Sequence, residues 1–175
     1  MPGPKLTPFA GDASIPSEVD TVIIGGGVIG VFTALELAER GQRVLLVEKG
    51  EIGGEQSSRN WGWVRIAMRD MREVPLMRVA LDLWDGMDHR LEAKTGFTRS
   101  GISFACNTPE AVASHEQWLR DFRDAGHGEG WADNRGVEMF GREVMGELFP
   151  GLASKAPAVL QSHVDGRAED RKSVV

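Results

Sequence analysis

The stretch VDTVIIGGGVIGVFTALELAERGQRVLLVEKG, residues 19–50, decides the fold. Val19 to Ile24 is a short, mostly apolar run, interrupted by Asp20 and Thr21, and predicts a buried strand. From Val28 to Arg40 the apolar residues Val28, Val31, Phe32, Leu35 and Ala38 recur at helical spacing, with Glu36, Glu39 and Arg40 pointing outward. Gly41 stands where the helix should end. Arg43 to Glu48 predicts a second buried strand. So short a strand–helix–strand unit implies parallel pairing through a right-handed crossover. A parallel sheet needs helices on both faces, so the expected class is α/β, a Rossmann-like βαβ start.

Between the first strand and the helix, Gly25-Gly26-Gly27-Val28-Ile29-Gly30 matches G-x-G-x-x-G. Glycine-rich chains produce that pattern by chance, but here it leaves a strand, opens a helix and is followed by an acid, Glu48, at the end of the next strand. Gly25 permits the sharp turn, Gly27 lets backbone approach a pyrophosphate, and Gly30 lets the helix sit close to the strand. The first-turn N–H groups and the positive end of the helix dipole suit phosphate. Glu48 can accept hydrogen bonds from both ribose hydroxyls of an adenosine and would repel a 2′-phosphate, which disfavours NADP. The alternative is an ordinary glycine-rich turn with Glu48 as a solvated charge.

Composition narrows the classes outside this unit. The chain has 175 residues, 41% hydrophobic and 26% charged, so wholesale disorder is excluded. Net charge is −6, and the densest basic patch, RIAMRDMR at 65–72, is diluted by Asp70 and Glu73, so no nucleic-acid partner is expected. The longest uncharged stretch, Thr21 to Leu35, is too short and too glycine-rich to span a bilayer. One cysteine, Cys106, excludes an internal disulfide and reads as a buried small hydrophobe. Tyrosine is absent, which excludes tyrosine-based catalysis within these residues. His89, His115, His127 and His163 show no metal spacing, so no metal is expected. His115 shares a helix face with Trp118 and Phe122 and is expected to pack there. The opening residues lack the order of a secretion signal, and a cytoplasmic protein is expected.

Further along, residues 1–18 read as a loose, proline-rich leader. Gly50 to Gly62 is a polar, glycine-rich loop. Pro75 to Ala93 predicts a helix whose stripe of Met77, Ala80, Trp84, Met87 and Leu91 faces a core. Phe97 to Cys106 predicts a turn and strand, with a hairpin as one form of it. Thr108-Pro109 caps a helix running to about Ala125, where Gly126 stops it. Val137 to Leu148 predicts one broken helix and Ala158 to Ser162 a strand, and the tail GRAEDRKSVV has no apolar face. Trp61 and Trp63, unexplained by periodicity, are divided between packing on a flat ring and packing in a core.

The fingerprint alone hardly separates FAD from NAD. A nicotinamide dehydrogenase continues with a compact alternation of strands and helices, whereas here the loop GEIGGEQSSRNWGWVR leads into a long helical excursion. With residues 19–50, the blocks SSRNWGWVR (57–65), EVPLMRVALDLW (73–84), FTRSGISF (97–104) and FPGL (149–152) make the sequence resemble the FAD-dependent amine and amino-acid oxidoreductases of the D-amino-acid-oxidase type, nearest the sarcosine-oxidase-like branch. The resemblance covers about residues 19–170.

The resemblance implies FAD as cofactor and a small-molecule amine or amino acid as substrate. Its C–N bond is oxidised to an imine, with hydride passing to flavin N5. It implies a cofactor-binding set of Gly25, Gly27, Val28, Ile29, Gly30, Glu48, Lys49, Ser57, Ser58, Arg59 and Asn60. Arg65 becomes the catalytic candidate, a positive charge close to the flavin that favours its anionic reduced form. Arg69 stands one residue from a second family arginine that can hold a substrate carboxylate. The implied organisation is a leader (1–18), an FAD-binding βαβ and flavin loop (19–72), the first part of a substrate lobe (73–157) and a return toward the FAD domain (158–175). Family members are considerably longer, so an N-terminal part, inactive alone, is expected. The alternatives are a nicotinamide dehydrogenase and a non-catalytic remnant.

Overall fold

The computed structural model describes residues 8–131, 136–151 and 156–168. They divide after Trp61 into two units. In the first, residues 8–18 carry no helix or strand and are exposed. Strand β1 (Thr21–Ile24) leads through the glycine turn into helix α1 (Val28–Glu39), and strand β2 (Val44–Val47) returns. The strands pair in parallel, from Thr21 opposite Val44 to Ile24 opposite Val47. Asp20 fixes their shared start: its carboxylate accepts the Arg43 backbone N–H at 2.8 Å and the Arg43 guanidinium at 2.9 Å. Helix α1 ends as its sequence requires, at Arg40, with Gly41 at φ +81°.

The expectation that both strands are buried is corrected. Along β1, Thr21 and Ile23 are half-buried, while Val22 and Ile24 are exposed, Ile24 to 87%. All four residues of β2 are only half-buried, and α1 has no fully buried residue. The physical reason is layer count, since within this unit one helix covers one face of a two-stranded sheet.

The second unit holds two antiparallel sheets. Strands β3 (Trp63–Val64), β4 (Phe97–Thr98) and β8 (Gly166–Ala168) form one, with β8 in the middle. Strands β5 (Ile102–Cys106), β6 (Val137–Gly141) and β7 (Ala158–Ser162) form the other, with β7 in the middle. Helices α2 (Val74–Arg90), α3 (Pro109–Asp124) and α4 (Arg142–Leu148) complete the unit. Ile66, Val74, Leu81, Phe122 and Leu160 are fully buried in its main core. A smaller core gathers Met145, Ala156 and Val159.

Helix α3 follows its sequence signals: the Thr108 hydroxyl accepts the Ala111 N–H at 3.2 Å, and Gly126 takes φ +76°. His115 is half-buried, its Nδ1 2.7 Å from the Ala111 carbonyl and its ring tilted against Phe104. Cys106 is buried, and burial pushes its thiol up.

Three expectations are corrected, and one strand forms where the sequence carries no signal for it. Val137–Gly141 is a strand, not the first half of a helix, because β7 has two edges to satisfy: β5 takes one and β6 the other. Strands β4 and β5 are not a hairpin, since β4 pairs with β8 and β5 with β7. The first residues of the tail, Gly166–Ala168, form β8 without any apolar periodicity, because a three-residue strand between two partners needs only backbone bonds. Helix α2 stops at Arg90, with Glu92 at φ +49°, so Leu91 lies beyond it and is exposed; of the expected stripe Met87 is buried and Met77 packs half-buried against the main core, joined there by Val74 and Leu81.

Candidate functional site

In the first unit the chain leaves β1 with Gly25 at φ +107°, a conformation that glycine adopts at little cost. A methyl group at Gly30 would lie 1.9 Å from the Gly25 carbonyl oxygen, so α1 meets the turn at backbone contact. At Gly26, a position the spacing leaves open, a methyl would lie 2.4 Å from Ile52 Cδ1 and 3.2 Å from Glu48 Cβ. At Gly27 the neighbour is Ser57 Oγ, at 3.1 Å.

The amide groups of this turn divide into two sets. Gly25 donates to the Val47 carbonyl at 2.8 Å, Gly26 to Glu48 Oε2 at 2.7 Å and Val28 to Ser57 Oγ at 2.8 Å. The N–H groups of Gly27, Ile29 and Gly30 have no acceptor among the described residues. They are donors left over at the start of α1, where the helix dipole is positive.

Glu48 follows β2 and is held by backbone. Besides Gly26 it accepts the Gly50 N–H on Oε1 at 2.9 Å. These two bonds, Gly26 first, hold its carboxyl below the usual carboxylate range. A carboxylate offers about four lone-pair sites, so each oxygen keeps one for a diol.

The loop after Glu48 distributes its residues unevenly. Ser57 reaches the start of α1, whereas Ser58 is buried and donates to the Glu55 carbonyl at 3.2 Å. Asn60 Nδ2 donates to the Ser57 carbonyl at 2.6 Å, which steadies the serine turn. Lys49 and Arg59 each lie 3.7 Å from the Glu55 carboxylate, on exposed side chains. The structure thus brings Gly25, Gly27, Val28, Ile29, Gly30, Glu48 and Ser57 to one corner and turns Ser58 inward. Trp61 is 86% exposed and Trp63 43%, so neither packs in a core.

In the second unit Arg65 follows β3. Its guanidinium is half-buried, donates from Nη1 to the Ala67 carbonyl and lies 5.7 Å from the Phe104 ring centroid. Burial first, and then the neighbouring charge of Arg69, make its proton less tightly held than an ordinary arginine's. Arg69 pairs with Glu73 at 3.7 Å, while its buried Nε has no partner among the described residues. His163 lies 3.4 Å from the Glu138 carboxylate. Among the described residues no group of three His, Cys, Asp or Glu is placed to hold a metal ion, and no helix is long and apolar enough to cross a membrane. Sequence reasoning gave no role to Asp165, a fully buried acid that receives the amides just after Arg65. Its only signal was an acid directly before a glycine.

An open phosphate cradle with three free donors, and an acid with unused acceptor sites, fit the ADP half of a dinucleotide. Comparison with known proteins says which kind. The DAO family of FAD dependent oxidoreductases matches residues 20–175. The chain belongs to this family. Its cofactor is therefore FAD, and the nicotinamide alternative falls. Glycine oxidase of Geobacillus kaustophilus (strain HTA426) is 36% identical over 80 residues, 44% of this chain and 21% of that protein. The L-amino acid deaminase of Proteus myxofaciens, solved in complex with anthranilate, superposes with a TM-score of 0.81 at 28% identity, covering 93% of this chain and 36% of that one. The crystal structure of the Geobacillus kaustophilus glycine oxidase gives 0.75 at 25% identity, over 88% and 41%. The chain thus spans about two fifths of the solved structures it matches.

Proposed function

We propose that the protein carrying this chain oxidises the C–N bond of an amino acid to an imine, with the 175 residues supplying the adenine-side hold on FAD and the cationic pair Arg65 and Arg69. One observation carries the reading: the free N–H groups of Gly27, Ile29 and Gly30, next to a Glu48 carboxylate already fastened by Gly26 and Gly50. Those donors suit the pyrophosphate, and the free lone pairs of Glu48 suit the ribose hydroxyls. Ser57 Oγ accepts from Val28 and keeps its own proton to donate to a phosphate oxygen. Ser58, Arg59 and Asn60 hold the shape of that loop, and Lys49 adds a positive charge at its rim. FAD, when bound, supplies the acceptor for the hydride equivalent leaving the substrate carbon.

Two guanidiniums whose charges act on each other, Arg65 and Arg69, favour a carboxylate-bearing substrate over a simple amine. Arg65 is the catalytic residue of this reading, favouring negative charge on the ring. The names of the relatives, glycine oxidase and L-amino acid deaminase, support the same class of substrate. The test is Gly27→Val in the FAD-loaded protein. A side chain there meets Ser57 and the cradle, and flavin should be lost on gel filtration. A variant that keeps wild-type FAD affinity overturns the cradle.

A further inference from the structure

Three segments far apart in sequence meet at Asp165. Its side chain has no exposure, and its Oδ1 accepts the Ile66 N–H at 2.6 Å while Oδ2 accepts the Ala67 N–H at 3.1 Å. Its backbone carbonyl accepts the Gly101 N–H at 2.8 Å. The preceding carbonyl, Val164, accepts from the Arg99 guanidinium, which is itself fastened to Asp85 at 2.5 Å. Directly after it, a methyl on Gly166 would lie 2.5 Å from the Thr98 carbonyl oxygen and 2.8 Å from the Phe97 ring. Asp165 therefore has almost no freedom to move.

Burying a carboxylate is costly, and two amide donors with no cation in direct contact offset only part of that cost. Burial indeed pushes the carboxyl above the usual range, against the pull of the Ile66 and Ala67 amides. A purely packing role would be met by an apolar residue. The segment that this acid grips begins one residue after Arg65. Ala67 is held at both ends of its backbone: its N–H by Asp165, its carbonyl by the Arg65 guanidinium. The charges facing that guanidinium are Arg69, Asp165 and Glu73.

We propose that Asp165 is a positioning residue for Arg65: by gripping the Ile66 and Ala67 amides it sets the peptide against which the Arg65 guanidinium is braced. This rests on the role proposed above for Arg65. An asparagine at 165 keeps the shape but presents a donor to one of the two amides, and removes the charge that offsets Arg69.

The probe is sulfite, which adds to flavin N5 and leaves negative charge on the ring, read as bleaching of the visible flavin band in the FAD-loaded, full-length protein. Arg65→Ala and Asp165→Asn should each weaken sulfite binding by about tenfold, the effect of losing roughly 1.4 kcal/mol of charge stabilisation. The double variant should be no weaker than the worse single one. Amide exchange at Ile66 and Ala67 should accelerate in Asp165→Asn and not in Arg65→Ala. Arg99→Met, which frees the Val164 carbonyl from a partly exposed position, provides a second route if Asp165→Asn fails to fold, and should weaken sulfite binding to a smaller degree. Wild-type sulfite affinity in Asp165→Asn and Arg99→Met, beside a weakened Arg65→Ala, overturns the positioning role alone. Unchanged affinity in Arg65→Ala removes Arg65 from the flavin and overturns both.

Discussion

Gly30 gives the sharpest test of how the cradle is built. A methyl group there would stand 1.9 Å from the Gly25 carbonyl oxygen and 3.1 Å from its carbon, and side-chain β carbons essentially never come within 3.0 Å of another heavy atom. The obstacle is backbone, so no rotamer relieves it, and Gly30→Ala must push α1 about 1.1 Å from the turn. Overpacking of this kind costs about 1–3 kcal/mol in stability. The effect on binding is larger. A displacement of about 1 Å stretches N–H···O contacts from about 2.9 Å to about 4 Å, outside hydrogen-bond range. Losing two bonds to a charged acceptor, at about 1.5–3 kcal/mol each, weakens FAD by roughly 10²- to 10⁴-fold. The assay is titration of apoprotein with FAD by quenching of flavin fluorescence, with a thermal melt alongside. If Gly30→Ala binds FAD as the parent does, the close approach of α1 to Gly25 is not what aims the free amides, and the reasoning fails.

Two further perturbations separate the cradle from its surroundings. Gly86 lies inside α2, and a methyl group added there would meet nothing within 4 Å, so Gly86→Ala should raise stability by up to about 1 kcal/mol in a melt and leave FAD affinity unchanged. Glu48 is held below its ordinary value of 4.5, so its hydrogen bonds contribute in full above that pH and are lost as pH falls through the lower folded value. Glu48→Gln should therefore flatten the acid side of the melting-temperature profile and weaken FAD by roughly ten- to hundredfold near neutral pH. A profile that keeps its acid limb would show the limb to belong to another carboxylate.

Legibility in the sequence followed the range of the interactions involved. The βαβ start was readable because strand, glycine turn and helix each have a local signature. So was α3, whose start at Thr108-Pro109 and stop at Gly126 are written within one or two residues of its ends. Val137–Gly141 was misread because VEMFG has no pattern of its own that excludes a helix, and only β7, some twenty residues later, makes it a strand. Strands β3, β4 and β8 are two or three residues long and exist through pairing across long separations, more than a hundred positions between β3 and β8. In the candidate site the glycine turn and the position of Glu48 at the end of β2 were legible from spacing, because the turn out of β1 and the start of α1 are local features. The bond from Val28 to Ser57 spans 29 positions and has no sequence signature. Arg65 was reached through resemblance alone. Asp165 was missed because an acid before a glycine usually marks a solvated turn, and nothing local says that this one is buried.

Both sheets of the second unit are built around their latest arrivals: β7 sits between β5 and β6, and β8 between β3 and β4. On a ribosome, the outer members emerge first and wait without their shared neighbour until Ala168 has cleared the exit tunnel. Loop closure over such separations is slow, and unpaired edges attract other chains in the meantime. Nascent polypeptides of this kind should call on chaperones throughout elongation, and a stop codon placed just before Gly166 should give insoluble product although it removes no residue of the glycine turn.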